Sequence, residues 1–91
     1  MQIARVIGTV TATVKESRLA AYPLLLVQFE DGSGAPTGTP IVAADMLGAG
    51  VGQKVLVTTG SASRVPPALQ GIPADAAIVA IIDTVTVENT D

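Results

Sequence analysis

Residues 4–15 read Ala4-Arg5-Val6-Ile7-Gly8-Thr9-Val10-Thr11-Ala12-Thr13-Val14-Lys15, and the two parities differ in kind. The even positions carry Ala4, Val6, Gly8, Val10, Ala12 and Val14; the odd ones carry Arg5, Ile7, three threonines and Lys15. Successive side chains of a strand point to opposite faces, so a period of two marks a strand with one face buried. The β-branched residues suit the pleat. Gly8 marks a bulge or a close backbone approach. A strand this long does not lie flat in a small sheet and is expected to curl.

Working outward, Lys15-Glu16-Ser17-Arg18 is a polar reversal. A second strand, Leu24-Leu25-Leu26-Val27-Gln28-Phe29, is apolar on both faces, as a buried position in a barrel or an interface requires. Pro23 opens it, where a missing N–H costs least. Glu30-Asp31-Gly32-Ser33-Gly34 has turn chemistry: Asp supplies local hydrogen bonds and Gly supplies positive φ. The third strand is expected over Thr39 to Asp45, with Pro40 near its start. Glycines at 48, 50 and 52 then lead directly into a fourth strand, Lys54-Val55-Leu56-Val57-Thr58-Thr59. Ser61 is placed to cap a short helical turn through Arg64, which Pro66-Pro67 ends. Residues 65–73 read as a loop, Ala76 to Glu88 as the last strand, and Asn89-Thr90-Asp91 as a polar tail. Five strands with short turns and one short helical turn predict an all-β, closed or partly closed barrel, a single domain over residues 1–91.

A chain of 91 residues buries only roughly 60–65% of its unfolded surface, so a lone globule of this size is marginal. Disulfides, a metal or oligomerisation usually compensate. There is no cysteine and no histidine, which removes disulfides and the common soft-metal sites and leaves assembly. Hydrophobic residues make up 48% of the chain, charged ones only 14%, and the mean hydropathy is +0.54. No apolar run reaches the roughly 18 residues of a membrane span; the stretch Ala76 to Ile82 stops at Asp83. Met1-Gln2-Ile3-Ala4-Arg5 lacks the features of a secretory leader, so a cytoplasmic location is expected. Surplus apolar surface of this kind points to subunit contacts, with an excess of alanine and glycine as the plainer reading. The net charge of −3, five scattered cations and two aromatics argue against nucleic acid.

The glycine loop is the one segment with a cofactor-like look. A dinucleotide fingerprint needs a third glycine where Gln53 stands and a helix where a strand follows. No Gly-Lys-Ser/Thr closes it as a P-loop. A phosphate nest of bare N–H groups is the weaker reading. A tight turn needing positive φ, or a crowded symmetry axis, is the stronger one. Catalysis would fall to Asp45, Asp75, Asp83 and a few Glu and Lys, without aromatics to build a cleft; each carboxylate is better read as a turn cap or a subunit salt bridge. Ser61 and Ser63 have no evident base. Tyr22 and Phe29 read as core or interface anchors before ligand-stacking residues. No catalytic, cofactor or metal residue is assigned.

With these segments placed, the chain resembles the EutN/CcmL family of pentameric vertex proteins from carboxysome and metabolosome shells. The resemblance spans nearly the whole chain. It rests on Ala4-Arg5-Val6-Ile7-Gly8-Thr9-Val10 with Ala12-Thr13, on the run Leu24 to Gln28, and on Ala44-Asp45-Met46-Leu47-Gly48-Ala49-Gly50-Val51-Gly52. Gly60-Ser61-Ala62-Ser63-Arg64 and the closing run Asp75 to Asp83 complete it. The resemblance implies an OB-like five-stranded barrel, assembled as a homopentamer with a small central pore, that caps the vertices of a polyhedral bacterial microcompartment. It implies hexameric facet proteins as partners, a place in the shell within the cytoplasm, no cofactor, no nucleic acid, no membrane and no enzymatic activity. Gly48, Ala49, Gly50 and Gly52 are the candidate pore or subunit-junction loop, and Gly60, Ser61 and Arg64 a candidate subunit contact. The departures are minor: Met46 and Leu47 sit where the family is often small or aliphatic, and residues 65–73 lie where it varies in length and composition. The competing reading is an isolated OB-like module for a small ligand or peptide, which predicts a monomer with a groove; a small hydrolase is a third, lacking base and pocket.

Overall fold

The computed structural model of the chain describes residues 1–11, 22–60, 76–83 and 85. They form five strands: β1 (Gln2–Val10), β2 (Leu24–Phe29), β3 (Ile41–Asp45), β4 (Lys54–Thr59) and β5 (Ala76–Ile82). The strands close into a barrel in the order β1-β2-β3-β5-β4, and every neighbouring pair is antiparallel except β3 with β5. Closure leaves no open edge for unintended strand pairing. No α-helix occurs among the described residues. The expected helical turn at 61–64, the reversal at 15–18, the loop at 65–73 and the tail at 89–91 fall outside them.

The opening strand alternates as expected at first: Ala4 and Val6 are buried, and Arg5 and Ile7 stand outward. The register then breaks. Val6 faces Val27 but Gly8 faces Leu26, so Ile7 is the extra residue of a bulge. Directly opposed residues of an antiparallel pair share a face. Gly8 and Val10 therefore lie with Leu26 and Leu24 on the outer wall, and the even positions form the buried face only up to the bulge. The bulge also supplies the bend that wraps β1 around the barrel.

β2 alternates too. Leu25 and Val27 are buried, while Leu24 and Leu26 are only half-buried on the outside, so the strand is not fully covered within one subunit. β3 begins at Ile41, two residues after the expected start, because Pro40 has no N–H to give the ladder. β5 spans Ala76–Ile82 and Asp83 stands in a bend, while residues 84 and 86–88 of the expected longer strand fall outside the described residues.

The main core comprises Ala4, Val6, Leu25, Val27, Ala43, Val55, Val57, Ala76 and Ile78, with Phe29, Ile41 and Ala49 packed against it. Its largest fully buried side chains are Ile78 and four valines, each contributing about 1.5–3 kcal/mol on burial. No aromatic ring is among them, which keeps the core small. A second cluster on the outer wall joins Ala44 and Ala77 beneath Tyr22, Leu24 and Met46. Both aromatics thus pack in the fold.

The β2–β3 connection is a turn built on Asp31. Its Oδ1 accepts the Ser33 hydroxyl at 2.6 Å and the Ser33 and Ala35 N–H groups at 2.8 and 3.1 Å. The Ser33 hydroxyl first, then the backbone donors, hold this carboxyl below its usual range. Gly34 completes the turn at φ 90°.

Thr58 is 3% exposed, and its hydroxyl has no hydrogen-bond partner among the described residues. A buried orphan of this kind costs about 1–3 kcal/mol. Thr58→Val is therefore expected to raise the melting temperature by about 5 °C, read by circular dichroism. A lower melting temperature would contradict this.

Candidate functional site: a glycine loop clamped at both ends

The segment from Met46 to Gln53 joins β3 to β4 and is rigidly held. At its start Asp45, 3% exposed, accepts the Leu47 N–H on Oδ1 and the Ala49 N–H on Oδ2, each at 2.9 Å. Its own N–H donates to Pro23 O at 3.0 Å, which fixes the carboxylate relative to β2. Asp45 is thus a turn cap, as expected of it. In the middle, the Gly50 N–H donates to Gln53 Oε1 at 2.6 Å, and the Gln53 N–H donates back to Gly50 O at 3.1 Å. At its end the Gly52 N–H donates to Val6 O at 2.8 Å, and the Val6 N–H donates to Gln53 O at 2.9 Å.

Arg5 locks the same end. Its Nη1 donates to Gly52 O at 2.8 Å, while Nε donates to Glu30 Oε2 at 3.0 Å. Lys54 Nζ stands 3.5 Å from Glu30 Oε1, which receives no hydrogen bond among the described residues. The Glu30 side chain is only 7% exposed, so these two cations are what make its charge tolerable there. The cluster ties β1, β2, β4 and the loop together.

The three glycines of the loop do different things. Gly48 and Gly52 adopt φ of 78° and 93°, the left-handed region where a side chain is strained. Gly50 does not have positive φ, and a Cβ there would meet only Gln53 Oε1, at 3.8 Å. The turn therefore requires Gly48 and Gly52 but not Gly50. Ala49 turns inward against the core, whereas Leu47 and Val51 are 46% and 63% exposed. The loop is a stiff frame presenting two apolar side chains. The N–H groups of Leu47, Ala49, Gly50 and Gly52 are already engaged within the subunit, so these four are not free to cradle a phosphate.

Of the second candidate set, Gly60 follows β4 at φ 65°, so backbone geometry accounts for the glycine. Ser61 and Arg64 lie outside the described residues. Sequence reasoning missed Arg5, Gln53, Leu47 and Val51. Leu47 was legible only as an oddity of size. The Arg5–Gly52 bond spans 47 positions and leaves no local signal.

A closed five-stranded barrel in this strand order, with a clamped loop that presents two apolar side chains, belongs to the OB-like class. The comparisons make the class specific. Residues 1–83 match the family model described as "Ethanolamine utilisation protein EutN/carboxysome", and the chain belongs to this family. It is 51% identical over 89 residues to the carboxysome shell vertex protein CcmL of Synechococcus elongatus, covering 98% of this chain and 90% of that one. The solved structure of Gloeobacter violaceus CcmL superposes with a TM-score of 0.89 at 44% identity, covering 98% and 92% of the two chains. A pentameric microcompartment shell protein, GrpN of Rhodospirillum rubrum, gives a TM-score of 0.86 at 38% identity, covering 97% and 100%.

Proposed function

We propose that this protein is a structural vertex subunit of a bacterial microcompartment shell, acting as a homopentamer that docks to hexameric facet proteins. The observation that carries the reading is the clamped loop. A barrel that holds Leu47 and Val51 out to solvent on a frame fixed by Asp45, Arg5 and Gln53 is built to meet another protein surface. Near full-length likeness to shell vertex proteins gives the surface its context. A flat lattice of hexamers cannot enclose volume, and a five-fold unit supplies the missing curvature. The small core fits as well, because a barrel filled mainly by valines gains from burying its apolar exterior against copies of itself.

In this reading the loop residues Gly48, Ala49, Gly50 and Gly52 lie at the subunit junction or pore rim, and the whole chain forms one shell domain. Gly50 is the sharpest probe. A side chain there fits its own subunit, so Gly50→Leu is expected to leave the fold intact while shifting the oligomer to smaller species in light scattering. A normal pentamer would remove Gly50 from the junction. The facet partnership is tested by mixing the protein with hexameric facet proteins that alone form sheets or open tubes. Closed particles in electron micrographs are the expected product; unchanged sheets would refute the vertex role.

A further inference from the structure

Asp31-Gly32 is the one Asp-Gly pair in the chain, and no Asn-Gly pair occurs in it. Both residues are exposed in the β2–β3 connection. Aspartate followed by glycine is the pair most open to backbone rearrangement, because glycine has no Cβ to screen its nitrogen. The Gly32 nitrogen attacks Asp31 Cγ, and the new N–Cγ bond closes a succinimide ring. The Cγ–OH bond breaks, and its hydroxyl leaves with the amide proton as water. Water then adds back to one of the two imide carbonyls. Opening at Cγ restores aspartate; opening at the main-chain carbonyl leaves isoaspartate, with the chain running through Cγ. No oxidant or cofactor enters, and the product has the same composition with one more methylene in its backbone.

The reaction needs a carboxyl group free to turn its carbon toward the Gly32 nitrogen, and an acid oxygen able to leave as water. The turn opposes both. Oδ1 of Asp31 accepts the Ser33 hydroxyl at 2.6 Å and the N–H groups of Ser33 and Ala35 at 2.8 and 3.1 Å, which pins the carboxylate toward residues 33–35. The same donors, the Ser33 hydroxyl first, hold the carboxyl below its usual range and so in its ionised, poorly electrophilic form. The backbone is closed around it: the Asp31 N–H donates to Ala35 O at 2.9 Å, and the Gly34 N–H donates to Asp31 O at 3.1 Å. We propose that Asp31-Gly32 is a latent isomerisation site, held shut by the Ser33 hydroxyl as its positioning group. Ser33 is exposed and lies outside the core, so this hydroxyl can be removed while the barrel is left intact. Once isomerised, the longer backbone no longer fits the turn, and the change persists.

The test follows isoaspartate in the full chain over several weeks at neutral pH, in wild type, Ser33→Ala and Ser33→Thr, beside wild type unfolded in urea. The temperature is set below the melting point of every folded sample, checked by circular dichroism. Isoaspartate is read as methyl uptake catalysed by an isoaspartate methyltransferase, and electron-transfer fragmentation locates it in the chain. The unfolded chain is expected to react fastest and folded wild type slowest. Ser33→Ala is expected to isomerise about three- to tenfold faster than wild type, the equilibrium equivalent of one exposed hydrogen bond. Ser33→Thr keeps the hydroxyl and is expected to return to the wild-type rate. Folded wild type as fast as the unfolded chain overturns the closed site, with or without the variants. Equal rates in Ser33→Ala and wild type overturn the role of the hydroxyl, and so does a Ser33→Thr chain as fast as Ser33→Ala. Isoaspartate found mainly at a position other than Asp31 overturns the site itself.

Discussion

Asp45→Ala is expected to lower the melting temperature by more than about 10 °C and to abolish assembly. Asp45 is nearly solvent-free, and both of its oxygens accept backbone N–H groups of the loop. Hydrogen bonds to a charged acceptor contribute about 1.5–3 kcal/mol each. Alanine removes both and leaves the Leu47 and Ala49 donors without their partner, a loss of about 3 kcal/mol or more. In a domain of this size each kcal/mol shifts melting by about 4–8 °C. Asp45→Asn separates the two bonds: its amide oxygen serves one N–H while its NH2 confronts the other, so about half of the loss is expected. Thermal melts of the three proteins by circular dichroism check the order wild type, Asn, Ala. Equal melting temperatures would mean that Arg5 and the Val6 backbone hold the loop without Asp45.

The second large effect falls on assembly and spares the fold. Leu47→Asp with Val51→Asp places two charges where two exposed apolar side chains stand. Exposed substitutions usually change the stability of a subunit by no more than about 0.5 kcal/mol. At a junction the same charges meet apolar surface and lose their water, a cost of several kcal/mol per contact that a ring repeats five times. The expected result is a folded species of 9.1 kDa by native mass spectrometry, with unchanged β-sheet circular dichroism. A pentamer of normal stability would show that the loop faces solvent in the assembly.

The barrel was largely legible in the sequence because its signals are local. Alternation in β1, the Pro23 start of β2, the Asp31 turn and the unbroken run of β4 each depend on residues a few positions apart. The bulge was visible as Gly8, but its consequence was not. Only the partner strand reveals that one extra residue turns Val10 to the outer wall. The site divided in the same way. Asp45 sits two and four residues before the N–H groups it accepts, a spacing that a turn cap makes readable. Arg5 reaches Gly52 just before the neighbouring strand β4, and Glu30 joins Arg5 to Lys54, links made by strand pairing rather than by neighbours in the chain. The three loop glycines looked equivalent as letters; their φ angles separate two that the turn requires from one that it does not.

Native mass in solution tests the central claim most directly. Light scattering behind a sizing column, or native mass spectrometry, should find five copies of the 9.1 kDa chain, about 45 kDa, at micromolar concentration. A stable 9.1 kDa monomer under the same conditions would contradict the vertex assignment and leave an isolated OB-like binding module in its place.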